Sequence, residues 1–317
     1  MDAKPSEMLV FDEDGDTLII LPYISSTTEA ADGQESDSRV DENEKKQPAG
    51  DTLETETEPR GTDGLRHWLF EPFFTPEAFE IVLNIIHGHT KKVPTEIGLA
   101  TLADIAALVD DLKCEDAVWF IVKSWIRLLD KQLPNGICED LVKWILISSV
   151  FDEPSIFTDC TYVAIRHTCQ RLDTIGHPIR PSVIDGIEVE RIKHLDALVA
   201  HLKEQRDELS RGGLGCYFEC RSSHLGALIQ GMHATGILPI LDVDSPKVDP
   251  SEAPHRGLSL SSAIDGICGI PFPDVYIKRS DVRRPSLHKC GLESSLKNHA
   301  NGLDIGIGGL NLHYFVR

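Results

Sequence analysis

The stretch Glu71–Trp125, EPFFTPEAFEIVLNIIHGHTKKVPTEIGLATLADIAALVDDLKCEDAVWFIVKSW, decides how this chain is read. Thr75, Pro76 and Glu77 open a helix, with threonine as the cap and proline at the first helical position, where its missing N–H costs nothing. Phe79, Val82, Leu83 and Ile86 then fall on one face at helical spacing, and Gly88 closes the segment. Val93, Pro94 and Thr95 start a second helix, in which Leu102, Ile105, Val109 and Leu112 recur at steps of three and four. A third begins at Glu115 and is apolar on most sides (Val118, Trp119, Phe120, Ile121, Val122, Trp125), the pattern of a helix surrounded by protein. None of the three carries a catalytic group where an enzyme would need one.

Outward from this block, Met8–Leu21 reads as a β-hairpin, because two apolar runs flank Asp14-Gly15, a dipeptide that tolerates the positive φ of a tight turn. Residues 1–24 are accordingly taken as a first hairpin. Residues 25–64 break the pattern. Between Glu29 and Asp63 stand twelve acidic and four basic residues, a local balance of −8. Such a tract cannot bury enough apolar surface to offset its chain entropy, so a disordered acidic insert is expected, serving as a solvated spacer. The aromatic run Arg66–Phe74 suits a strand and opens a sheet-and-helix part over 65–133. Follow-on helices at Ile137–Phe151 and Ser155–Thr168 fill 134–175, and Ile175–Pro181 is a linker rich in chain-breaking residues. A C-terminal helical region, 182–317, begins with a long helix over 182–210. Its seam of Ile192, Leu195, Val199, Leu202 and Leu209 sustains about two heptads, fewer than a coiled coil needs, so it is expected to fold against its own domain. The fold class expected is α+β, mostly helical.

The chain has 317 residues, 41% of them hydrophobic, ample material for a core. Its 31 basic against 51 acidic residues give −20, which excludes a nucleic-acid backbone or an anionic membrane surface as the expected partner. Met1–Glu7 has neither a basic start nor a following apolar run, so no secretory leader is expected. Eight scattered cysteines do not make a secreted disulfide framework. Cytoplasmic or nuclear residence is the expectation.

The helix Pro76–Gly88 has the form P-x-A-F-x-x-x-L-x-x-I-H-G, and Leu102–Val118 the form L-A-x-I-A-x-L-V-D-x-x-x-C-x-x-A-V. With Gly215–Cys220, Leu225–Leu228 and the late His288-x-Cys290, these segments resemble fungal BTB/POZ-like proteins. The resemblance implies a small sheet with helices and a non-catalytic protein–protein interaction module, an adaptor or scaffold. Its partners would be other proteins: the chain itself or, in a substrate adaptor of a ubiquitin ligase, a cullin. The interaction surface it implies is built from Phe79, Leu83, His87, Leu102, Ile105 and Val109. A complete BTB domain has further helices and a strand between the first hairpin and Pro76; here the acidic tract stands in their place, so the N-terminal half is interrupted.

Cys216-x3-Cys220 with His224 is the densest ligand-like cluster. Ser222 and Ser223 read as a helix cap, which places the cysteines on the turn before a helix and His224 in its first turn. Cys216, Cys220, His288 and Cys290 together could supply the four ligands of a closed structural zinc site; the alternative is ordinary half-buried cysteines. A zinc- or thiol-dependent enzyme is the reading from another class, but no local signature of a nucleophilic cysteine surrounds these residues. Cys114, Cys138, Cys160 and Cys169 lie in apolar helical patterns and are expected in the core. His87 and His89 sit at a helix end, where a cation interacts favourably with the dipole. The Gly302–Gly309 stretch lacks the lysine and following helix of a phosphate loop. Arg283-Arg284-Pro285-Ser286 has the form of a basophilic kinase target.

Overall fold

The computed structural model describes residues 8–21, 64–70, 74–237, 255, 257–277, 286–288 and 291–315. Nearly all of the acidic tract, Cys290 and the basic run at 283–285 lie outside the described residues. Among the described residues the protein is mostly helical with two small two-stranded sheets, an α+β fold. It divides into two compact units, Met1–Pro94 and Thr95–Arg317. The boundary falls inside the 65–133 stretch that the sequence presents as one sheet-and-helix part.

In the first unit, β1 (Thr17–Ile20) pairs in parallel with β2 (Arg66–Leu69), Thr17 opposite Arg66. The expected hairpin over Met8–Leu21 does not form. The turn is present, with Gly15 N–H donating to Asp12 O at 3.3 Å, but Met8–Val10 is exposed and outside any strand. A parallel partner needs a long crossover, and residues 21–65 provide that length. Helix α1 (Pro76–Ile86) starts as its cap predicts: Ala78 N–H donates to Thr75 Oγ1 at 3.4 Å, with Pro76 at the first position. Phe70, Phe74 and Phe79 bury their rings edge-to-face, Phe70 to Phe79 at 4.7 Å between centroids. Such pairs add about 0.5–1.5 kcal/mol each beyond area burial.

The second unit holds α2 (Leu99–Leu112), α3 (Glu115–Leu129), α4 (Glu139–Val150), α5 (Pro154–His167), α6 (Pro181–Arg211), α7 (Phe218–Ala234), α8 (Leu260–Cys268) and α9 (Leu292–Gly306). It also holds the antiparallel strands β3 (Val275–Ile277) and β4 (Ser286–His288). Helix α2 starts at Leu99, after Gly98, rather than at Val93–Thr95. The helix buried on every side is α4, packed between α2 and α5, with Leu141 to Ser149 all buried. Helix α3 was expected in that role, yet it exposes Trp119, Phe120 and Leu128. The buried polar groups of α4 are satisfied within the helix. Ser148 Oγ donates to Trp144 O at 2.6 Å, Ser149 Oγ to Leu146 O at 2.8 Å, and Lys143 Nζ reaches Glu139 Oε1 at 2.7 Å.

Helix α6 packs on α5, α7 and α8, in agreement with a helix folded against its own domain, and ends at Gly212 with φ +83°. The C-terminal strap is stitched to α5: Leu310 N–H donates to Thr161 Oγ1 at 2.8 Å, and Thr158 Oγ1 donates to Leu310 O at 3.1 Å. Gly309 permits this approach, since a Cβ there would lie 1.8 Å from Thr158 O. Of the cysteines expected in the core, Cys160 is buried and Cys114 half-buried. Cys138 and Cys169 are exposed, because they fall at the edges of α4 and α5 where the apolar periodicity stops.

His167, His177, His194 and His201 are all held below the ordinary imidazole value, chiefly by burial, which disfavours the charged form. At His201 the charge of His299 adds to this; the two rings stack with centroids 3.4 Å apart. The unfolded chain therefore takes up protons at these sites more readily than the folded one. Their stabilisation is fully present above about pH 6.5 and is lost as pH falls from there through the lower values these groups have in the folded chain. We expect His201→Gln to flatten the loss of stability between roughly pH 7 and pH 5. Urea midpoints across that range check it, and an unchanged slope would count against this role for His201.

Candidate metal centre

The segment between α6 and α7 turns through Gly212 and Gly215, both at positive φ (+83° and +85°). Gly215 is also sterically required, because a Cβ there would meet Arg221 Cγ at 2.4 Å. This tight turn delivers Cys216 just ahead of α7, which starts at Phe218 rather than at a cap formed by Ser222 and Ser223. Cys220 therefore lies in the first turn of the helix and His224 in the second. The opposite wall comes from β4, whose last residue, His288, pairs with Val275 of β3. Strand β3 packs on α7.

This arrangement brings three of the four sequence-predicted ligands together. Cys216 Sγ, Cys220 Sγ and a ring nitrogen of His288 lie within 4.8 Å of one another. Cys220 is fully buried, Cys216 is exposed and His288 is half-buried. His288 Nε2 is itself buried and has no hydrogen-bond partner. The Tyr217 ring lies against the imidazole, 5.0 Å between centroids. Cys290 lies outside the described residues. In a tetrahedral site with bonds of about 2.0–2.3 Å the ligand atoms stand roughly 3.3–3.8 Å apart, so the 4.8 Å limit puts these three within about 1–1.5 Å of ligand spacing.

Phe79, Leu102, Ile105 and Val109, expected to build an interaction surface, are buried in the chain's own core. Leu83 is half-buried and His87 exposed. The periodicity that identifies these helices is the stripe each turns toward its own core, so the same signal that finds a helix hides its surface. Among the exposed apolar side chains are two adjacent aromatics on α3: Trp119 is 55% exposed and Phe120 79%. Lys123 holds this face in place. Its Nζ donates to Glu153 Oε1 at 2.7 Å and to Phe151 O at 3.0 Å, and lies 5.9 Å from the Trp119 ring centroid. A shallow groove of about 240 Å³, lined by Glu96, Ile97, Trp125, Leu128 and Leu129, runs beside the same helix. The sequence carried a signal for this. Phe120 shares its helical face with Asp116, Lys123 and Arg127, a polar stripe at odds with a helix buried all round.

No family model, curated protein or solved structure matches this chain. Among the described residues, no helix is long and apolar enough to cross a membrane.

Burial pushes the Cys160 thiol up to about 12 and raises Cys114 and Cys268 as well, the opposite of what a nucleophilic thiolate needs. In metal-free protein, Cys216, Cys138 and Cys169 should be alkylated first, with Cys220 and Cys160 trailing by at least about tenfold, since a buried thiol must wait for local opening. Mass spectrometry of partly labelled protein reads this order. Early labelling of Cys220 would mean that the start of α7 is open.

Proposed function

We propose that this protein is a non-catalytic protein–protein interaction module, an adaptor or scaffold of the BTB/POZ kind, which docks its partner on the outer face of α3. The observation that carries this reading is the exposed aromatic pair Trp119 and Phe120 on a helix whose other side is anchored in the core. Aromatic residues presented from a rigid element are the side chains that dominate protein interfaces, because they bury large area at low entropic cost. The net charge of −20 favours protein partners over nucleic acid.

The test is affinity purification of tagged full-length protein from its native cells, beside a Trp119→Ala/Phe120→Ala variant. A stable partner should be recovered with the wild type and reduced by about tenfold or more with the variant. Near-stoichiometric recovery of a cullin scaffold would make the protein a ligase adaptor. Equal recovery by both proteins would refute docking on α3.

The converging thiols and imidazole support a second element of the same reading, a structural zinc ion bound by Cys216, Cys220 and His288, with Cys290 as the fourth ligand. The donor set fits: two thiolates and an imidazole suit a borderline-soft, tetrahedral cation. Zinc in such a site supplies cross-linking rather than chemistry, tying the start of α7 to the β3–β4 pair. Protein purified without chelator should carry about one zinc per chain, and Cys220→Ser should lose most of it. Less than about a tenth of a zinc per chain in the wild type would end the zinc proposal.

A further inference from the structure

His224 is absent from the proposed ligand set, yet it lies one helical turn beyond Cys220 and is only 7% exposed. Its ring stacks on Phe272, 5.4 Å between centroids and 26° between planes. Nδ1 lies 2.8 Å from Cys220 O and 3.8 Å from Cys220 Sγ. A carbonyl oxygen can only accept, so Nδ1 carries the proton; Cys220 O is its nearer acceptor, and Cys220 Sγ is within reach as a second, longer one. The thiol of Cys220 gains little from that neighbour. A thiolate gains much more, because a hydrogen bond to an ionised acceptor is about twice as strong as a neutral one.

We infer that His224 is a positioning residue for the metal centre, whose Nδ1–H stabilises the Cys220 thiolate and fixes its direction toward the metal. This rests on the zinc reading above. Three features make the assignment specific. Burial removes water as a competing donor to the sulfur, Phe272 holds the ring plane, and the Cys220 carbonyl fixes the tautomer. His224 thus acts on the metal through a ligand, as outer-shell partners do, without contacting it.

The experiment compares zinc affinity, by competition with a chromophoric chelator, in full-length wild type, His224→Phe and His224→Asn. Phenylalanine keeps the ring against Phe272 and removes the donor, whereas asparagine restores an N–H near the position of Nδ1. Zinc affinity should fall by about tenfold to a hundredfold in His224→Phe and recover to within a few-fold of wild type in His224→Asn. Cobalt-loaded His224→Phe should show its sulfur-to-cobalt charge-transfer band at lower energy than wild type, because the sulfur has lost a hydrogen bond. Melting of the metal-free proteins separates misfolding from this role: His224→Phe should melt within a few degrees of the wild type. Equal affinities and an unmoved cobalt band in His224→Phe would overturn the inference alone, as would loss of the metal-free fold. A wild-type chain that takes up neither metal would overturn the zinc reading and this inference with it.

Discussion

The burial of α4 is the constraint on which the larger unit depends. A helix enclosed by α2 and α5 leaves its hydroxyls no water, and Ser148 and Ser149 pair within the helix itself, while Lys143 reaches an exposed carboxylate at its start. An unmet hydroxyl there would cost about 1–3 kcal/mol, and an unpaired ammonium more. With those groups satisfied, Trp144 and the aliphatic residues around it can form a continuous apolar centre. The outer helices then need only one apolar face each, which leaves α3 free to present Trp119 and Phe120 outward.

The candidate metal centre and the α3 face draw on different parts of that architecture. The first is a long-range clasp, in which a glycine-rich turn after α6 and the end of a distant strand converge on two thiols. Its candidate ligands come from segments distant in the chain. The second is local, set by one helix and one lysine that bridges it to the α4–α5 junction. In the proposed interaction module, the clasp would maintain the C-terminal part while α3 meets the partner.

Most helices were legible from periodicity and punctuation. Thr75 and Pro76 mark the start of α1, Gly212 the end of α6, and the cysteine and histidine pairs could be matched by ligand type across more than seventy positions. Other features were not legible, for physical reasons. Asp14-Gly15 forms its turn, but turn chemistry does not specify a partner strand, and β1 pairs with β2 instead. The apolar stripes of α1 and α2 identify core faces, so Phe79, Leu102, Ile105 and Val109 could not also form an exposed surface. Nor does a run as apolar as α3 announce that its aromatic residues face solvent, because composition records how apolar a helix is and not which neighbours cover it.

By itself the sequence determined the fold class, most of the helical segments and the types of donor present at the candidate centre. These follow from local rules: capping, helical period and the chemistry of thiol and imidazole. Only the tertiary structure decided which helix is central, which aromatics remain outside, and that Cys216, Cys220 and His288 meet while His224 stands behind them. Those outcomes depend on which surfaces exclude water from one another. That is a property of packed neighbours distant in the chain, and no local pattern encodes it.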